Sequence, residues 1–75
     1  MKTKVNETNR VDYIMMYESG ELNDVDTLHF FSHLIQNGMA WSLQGHYGRT
    51  ASHLIDNDYI NRDGKINWDL INKIN

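Results

Sequence analysis

Seventy-five residues with a formal charge of −3 and no cysteine leave room for one domain with a thin core, because a chain this short buries only about 60% of the surface it exposes when unfolded. The absent cysteines exclude a disulfide framework and thiolate chemistry. Four methionines, four tyrosines, two tryptophans and two phenylalanines supply apolar faces that a disordered linker does not carry.

Residues 1–8 are polar apart from Met1 and Val5 and read as a flexible arm, with residues 9–75 as a single helical domain. Asn9 is an N-cap candidate, with Asp12 three positions on as a short capping-box partner. Val11, Ile14 and Met15 follow at helical spacing and are the expected buried stripe of a helix over 9–19, which Gly20 stops.

Asn23 repeats the start signal, with Asp24 and Asp26 in the first turn, where carboxylates favour the positive end of the helix dipole. Leu28, Phe31, Leu34 and Ile35 then share one face as far as Gln36, and Asn37-Gly38 supplies the C-cap.

Beyond Gly38, Ala40, Leu43, Tyr47, Ala51 and Leu54 keep helical spacing to about Asn57, but Gly45 and Gly48 interrupt them at about 1 kcal/mol each relative to Ala. Two geometries satisfy this segment. One is a short helix 39–44 that breaks at Gly45, with a second helix starting near Gly48; the other is one continuous helix with Gly45, Gly48 and Ser52 as a close-packing face. Two glycines within four residues favour the break.

Asp63-Gly64 is a turn signal inside the weakly alternating stretch 59–66 and predicts at most a minimal β-hairpin. Asn67 caps a last helix whose Trp68, Leu70, Ile71 and Ile74 can pack back on the core. The fold class is therefore mainly α, a small domain of four to five short helices.

From Leu34 to Ala51 the chain resembles a group of small uncharacterised proteins encoded by tailed bacteriophages. Its most specific stretch is Trp41-Ser42-Leu43-Gln44-Gly45-His46-Tyr47-Gly48-Arg49. The likeness extends upstream through Tyr13 to Leu22 and downstream to about Ile60. It implies an accessory phage product in a bacterial cytoplasm, a setting in which small proteins often bind and disable a host protein or a defence signal.

Gln44, Gly45, His46, Tyr47, Gly48 and Arg49 form the densest candidate site. Glycines let backbone N–H groups approach an anion, Arg49 can fork to phosphate or carboxylate, and Tyr47 can stack on a base. The spacing matches neither the dinucleotide glycine fingerprint nor the P-loop, and a helical corner with Tyr47 in the core explains the same residues. His29 and His33, His46 and His53, and the Asn61-to-Asn67 segment each lack the further ligands that zinc or calcium requires, so neither a metal nor a cofactor is expected. No nucleophile has a base placed to act with it, and no enzyme activity is expected.

Three functions follow as expectations. The first is a protein-binding module that inhibits or redirects a host protein, with Trp41 and Tyr17 as anchors. The second is a nucleotide sponge built on Gly45 to Arg49, which needs more than one copy to enclose its ligand and so leaves a homo-oligomer open. The third, DNA binding, is disfavoured by the charge: residues 1–37 carry six Asp/Glu against three Lys/Arg, and residues 38–75 four of each. With no apolar run near the roughly 20 residues of a membrane span and no apolar segment behind the basic start, a cytoplasmic chain without membrane contact is expected.

Overall fold

The computed structural model describes residues 5–43 and 45–74, with Ile74 described in its backbone alone. Four α-helices and one 3₁₀ turn follow in order: α1 (Arg10–Glu18), α2 (Asp24–Gln36), the 3₁₀ turn (Met39–Trp41), α3 (Gly45–Asp56) and α4 (Trp68–Ile74). The fold is mainly α, as the periodicity predicts. Among the described residues the β content is one antiparallel bridge between Ile60 and Ile66, around the Asp63-Gly64 turn.

The core is built on α2. Asn23 caps it as expected, its side-chain oxygen accepting the Asp26 N–H at 2.8 Å, and Gly38 takes the left-handed conformation at its end. Leu28, Phe31, Leu34 and Ile35 are buried, but so are Phe30 and Ser32 on adjoining sides. The helix is surrounded rather than laid on a surface.

α1 presents a face turned away from the one its spacing suggests: of the expected stripe, Ile14 packs against the core but Val11 and Met15 do not. Val11 and Met15 are each 64% exposed, while Tyr13 is buried and Tyr17 lies half-buried against Phe30 and Phe31, with ring centroids 5.5 and 5.3 Å away. Both pairs have helical i, i+4 spacing. The larger aromatic surfaces find the phenylalanines of α2, and the smaller apolar pair is left outside. Asn9 also differs from the expected cap. Its side-chain oxygen accepts the Asn6 N–H at 2.8 Å rather than an N–H of α1. Val5, within the segment read as an arm, is buried in the core.

The segment after Gly38 is interrupted, but not where the glycines suggest. The first piece is a single 3₁₀ turn rather than a helix over 39–44, and α3 starts at Gly45 rather than near Gly48, so both glycines lie within it. Burial of Tyr47 and Ala51 in the core offsets their low helix propensity. A Cβ on Gly48 would stand 3.5 Å from the Ala40 carbonyl and 3.8 Å from Trp41 Cε3. The glycine surface is thus where α3 meets the 3₁₀ turn.

The Asn61–Lys65 turn docks on α2 through Gly64, which is buried with φ +89°. Its carbonyl accepts from the Ser32 hydroxyl and, at 3.3 Å, from Gln36 Nε2. Asn67 caps α4 as its sequence predicts, accepting the Leu70 N–H at 3.2 Å. Ile71 returns to the core, whereas Trp68 stays 41% exposed beside His29.

Candidate functional site

The residues singled out in the segment 41–49 divide between two sides of α3. On the inner side Tyr47 is buried, and its hydroxyl donates to Glu18 Oε2 at 2.6 Å. Burial and this carboxylate together push the phenol well above its usual range. His46 lies against the Tyr47 ring, with centroids 4.2 Å apart, and stacks in parallel with Tyr17 at 6.4 Å. Tyr17, His46 and Tyr47 therefore join α1 to α3 and serve the core. Tyr47 is not placed to stack on a ligand.

The outer side is a different surface. Trp41 is 53% exposed although it is one of the largest apolar side chains in the chain. It lines a shallow depression of about 430 Å³ with Gly45, Gly48, Arg49, Ser52, His53 and Asp56. A second depression of about 320 Å³, lined by Trp41, Ser52, Ile55, Asp56 and Arg62, adjoins the first through shared residues. Gly45, Gly48, Ser52 and Asp56 follow the i, i+3, i+7, i+11 row along one face of α3, so the floor of the first depression is glycine backbone at one end and polar side chains at the other. Trp41 forms the common wall.

Arg49 and Arg62 stand at separate ends of this face. Arg49 folds back over the first turn of α3, with its Nη1 3.2 Å from where a Gly45 Cβ would lie. Asp56 lines both depressions, yet among the described residues neither arginine forms an ion pair or hydrogen bond. Their charge is offered outward. Gln44 lies outside the described residues.

Four of the eight candidate residues, Trp41, Gly45, Gly48 and Arg49, thus come together on one exposed face; Tyr17, His46 and Tyr47 do not line it. Sequence reasoning placed Ser52 only on a packing face with Gly45 and Gly48, and did not place His53, Ile55, Asp56 or Arg62 in the site. Ser52 and Asp56 were available from the helical row that starts at Gly45, and His53 and Ile55 border it. Arg62 was not, because only the docking of the Asn61–Lys65 turn brings it there.

Among the described residues no group of three or more His, Asp or Glu side chains converges as a metal site. No helix among them is long and apolar enough to cross a membrane. A family model described as a domain of unknown function, DUF7417, matches residues 3–75. The chain belongs to the DUF7417 family. No curated protein and no solved structure matches it.

Proposed function

We propose that this DUF7417 chain is a non-enzymatic protein-binding module that engages a host protein through the Trp41 face and inhibits or redirects it. The observation that carries this reading is the exposed Trp41 indole between two depressions, one lined by Arg49 and the other by Arg62, neither in an ion pair among the described residues. Tryptophan and arginine are the side chains most enriched where truncation costs an interface most of its energy. An isolated exposed tryptophan needs no explanation; one set beside two glycines and flanked by two guanidinium groups without an ion pair among the described residues has the form of an anchor site. The likeness to tailed-phage proteins supports a bacterial cytoplasm as the setting and a defence component as a candidate target.

Affinity capture from a bacterial lysate tests the proposal, comparing the full chain with Trp41→Ala. The reading expects a protein retained at near-stoichiometric level by the first and lost by the second, with both equally helical. A partner retained equally by both, or none retained by either, removes it.

The nucleotide reading keeps one supporting observation, Arg49 without an ion pair among the described residues at the glycine-bearing start of α3. Trp41 would then replace Tyr47 as the stacking surface, and the openness of the depression would demand a second copy to enclose the ligand. A ligand at 100 times its dissociation constant adds about 2.7 kcal/mol of stability. Thermal scans with mononucleotides and cyclic dinucleotides that show no shift exclude it.

A further inference from the structure

Packing among the described residues leaves the outer face of α1 exposed. Val11 and Met15 stand one helical turn apart and are the most exposed large apolar side chains described. The charged residues that flank this ridge on the helix, Asp12 and Glu18, are acidic. Over residues 5–37 six Asp/Glu face a single cation, Arg10. The Arg10 guanidinium is directed inward to the Met39 sulfur, so it does not neutralise the ridge.

The Trp41 face has the indole at its centre, a floor that includes Gly45 and Gly48, and Arg49 and Arg62 on its flanks against a single acidic lining residue, Asp56. The Arg10–Met39 contact also sets the first turn of α1 beside the 3₁₀ turn that carries Trp41. Each copy carries both surfaces. This permits a reciprocal arrangement in which each copy both gives and receives the contact, and such an arrangement closes as a two-fold dimer instead of growing into a filament.

We infer that the partner of the α1 ridge is a second copy of this chain: Val11 and Met15 lie on the Trp41 face of the other molecule, with its Arg49 and Arg62 against the acidic residues of α1. Matching signs across the contact give it specificity and salt dependence. A contact confined to one nine-residue helix and one cleft belongs to the weak, reversible class of interfaces. The dimer covers Trp41 and leaves it free on dissociation, so a host protein and the second copy compete for the same surface.

Sedimentation equilibrium of the full chain from about 10 μM to about 1 mM spans the affinity expected of such a contact. At low salt the chain should pass from monomer to dimer, and about 1 M salt, where charges are screened beyond about 3 Å, should return it to monomer. Arg49→Glu/Arg62→Glu and Asp12→Lys should each be monomeric alone, while an equimolar mixture of the two should recover a dimer because each then offers the charge the other lacks. Met15→Gln, a substitution at an exposed position, should weaken association at least tenfold without loss of helicity by circular dichroism. A full chain that stays monomeric at the highest concentration, a dimer indifferent to Met15→Gln, or folded charge variants that fail to associate when mixed would each overturn the inference. Failure to associate would leave capture of a host protein through Trp41 standing, because that capture requires neither Asp12 nor Met15.

Discussion

Trp41 lies over Gly48, and a methyl group on that glycine would stand 3.8 Å from the indole Cε3. That distance is ordinary van der Waals contact, so the fold itself does not require glycine there. Gly48→Ala should raise stability by about 0.5–1 kcal/mol, the helix-propensity difference, as read by urea denaturation. The same methyl raises the floor of the cleft, and capture of the partner should weaken. Greater stability with unchanged capture would mean that the floor is not used.

Arg49 distinguishes a structural from a functional cation. With no intramolecular partner among the described residues, Arg49→Ala should alter stability by no more than about 0.5 kcal/mol, the usual range of surface substitutions, yet abolish capture. A marked fall in melting temperature would instead reveal an internal role.

Gly64 makes the opposite case. A side chain there meets both a left-handed backbone and Gln36 Cγ at 2.5 Å, with the Ser32 carbonyl at 2.9 Å. Gly64→Ala should cost more than about 2 kcal/mol through combined strain and overpacking. The displaced turn also carries Arg62 away from the Trp41 face, so capture should fall together with stability.

Tyr47 tests the join between α1 and α3. Tyr47→Phe removes the 2.6 Å bond to Glu18 and should cost about 0.5–1.5 kcal/mol; Tyr47→Ala also empties the aromatic cluster and should cost about 3–5 kcal/mol. Chemical denaturation of the two variants checks the order.

His33 should give stability a dependence on pH. Its pKa is lowered below the usual histidine value, first by burial and then by Arg10, with Glu7 opposing. Asn37 Nδ2 faces its Nδ1 at 3.3 Å, while its Nε2 is buried without a hydrogen-bond partner. Taking the Asn37 amide as donor, Nδ1 accepts and a second proton there has no acceptor. The folded state thus favours neutral His33, so the unfolded chain binds the proton more readily. The stabilisation is complete above the unfolded pKa of about 6.5 and is lost as pH falls through the lower folded value. Melting temperatures at pH 7.5 and 5 should differ more for the native chain than for His33→Gln; equal differences would exclude His33 as the source.

The sequence made α2 legible because cap, periodicity and C-cap agree from Asn23 to Gly38. α1 was not legible in the same way: Tyr13/Tyr17 and Val11/Met15 share one spacing, and only the position of Phe30 and Phe31 decides which pair turns inward. The glycines of α3 misled for a related reason. Their intrinsic cost is local and readable, whereas the burial of Tyr47 and Ala51 that offsets it is tertiary. Trp41, Gly45, Gly48 and Arg49 were readable as a cluster of unusual residues, but the division that sends Tyr47 to the core and Trp41 to the surface depends on where the 3₁₀ turn meets α3. Arg62 joins them only through the Gly64 contact with α2.

The most direct measurement is quantitative capture from bacterial lysate by the full chain, Trp41→Ala and Trp68→Ala in parallel. Trp68 is an exposed tryptophan outside the Trp41 face, so it controls for general apolar adhesion. The Trp41 face predicts a single partner held near one-to-one by the full chain and by Trp68→Ala and lost at least tenfold by Trp41→Ala. Equal retention by all three, or equal loss from both variants, would contradict it.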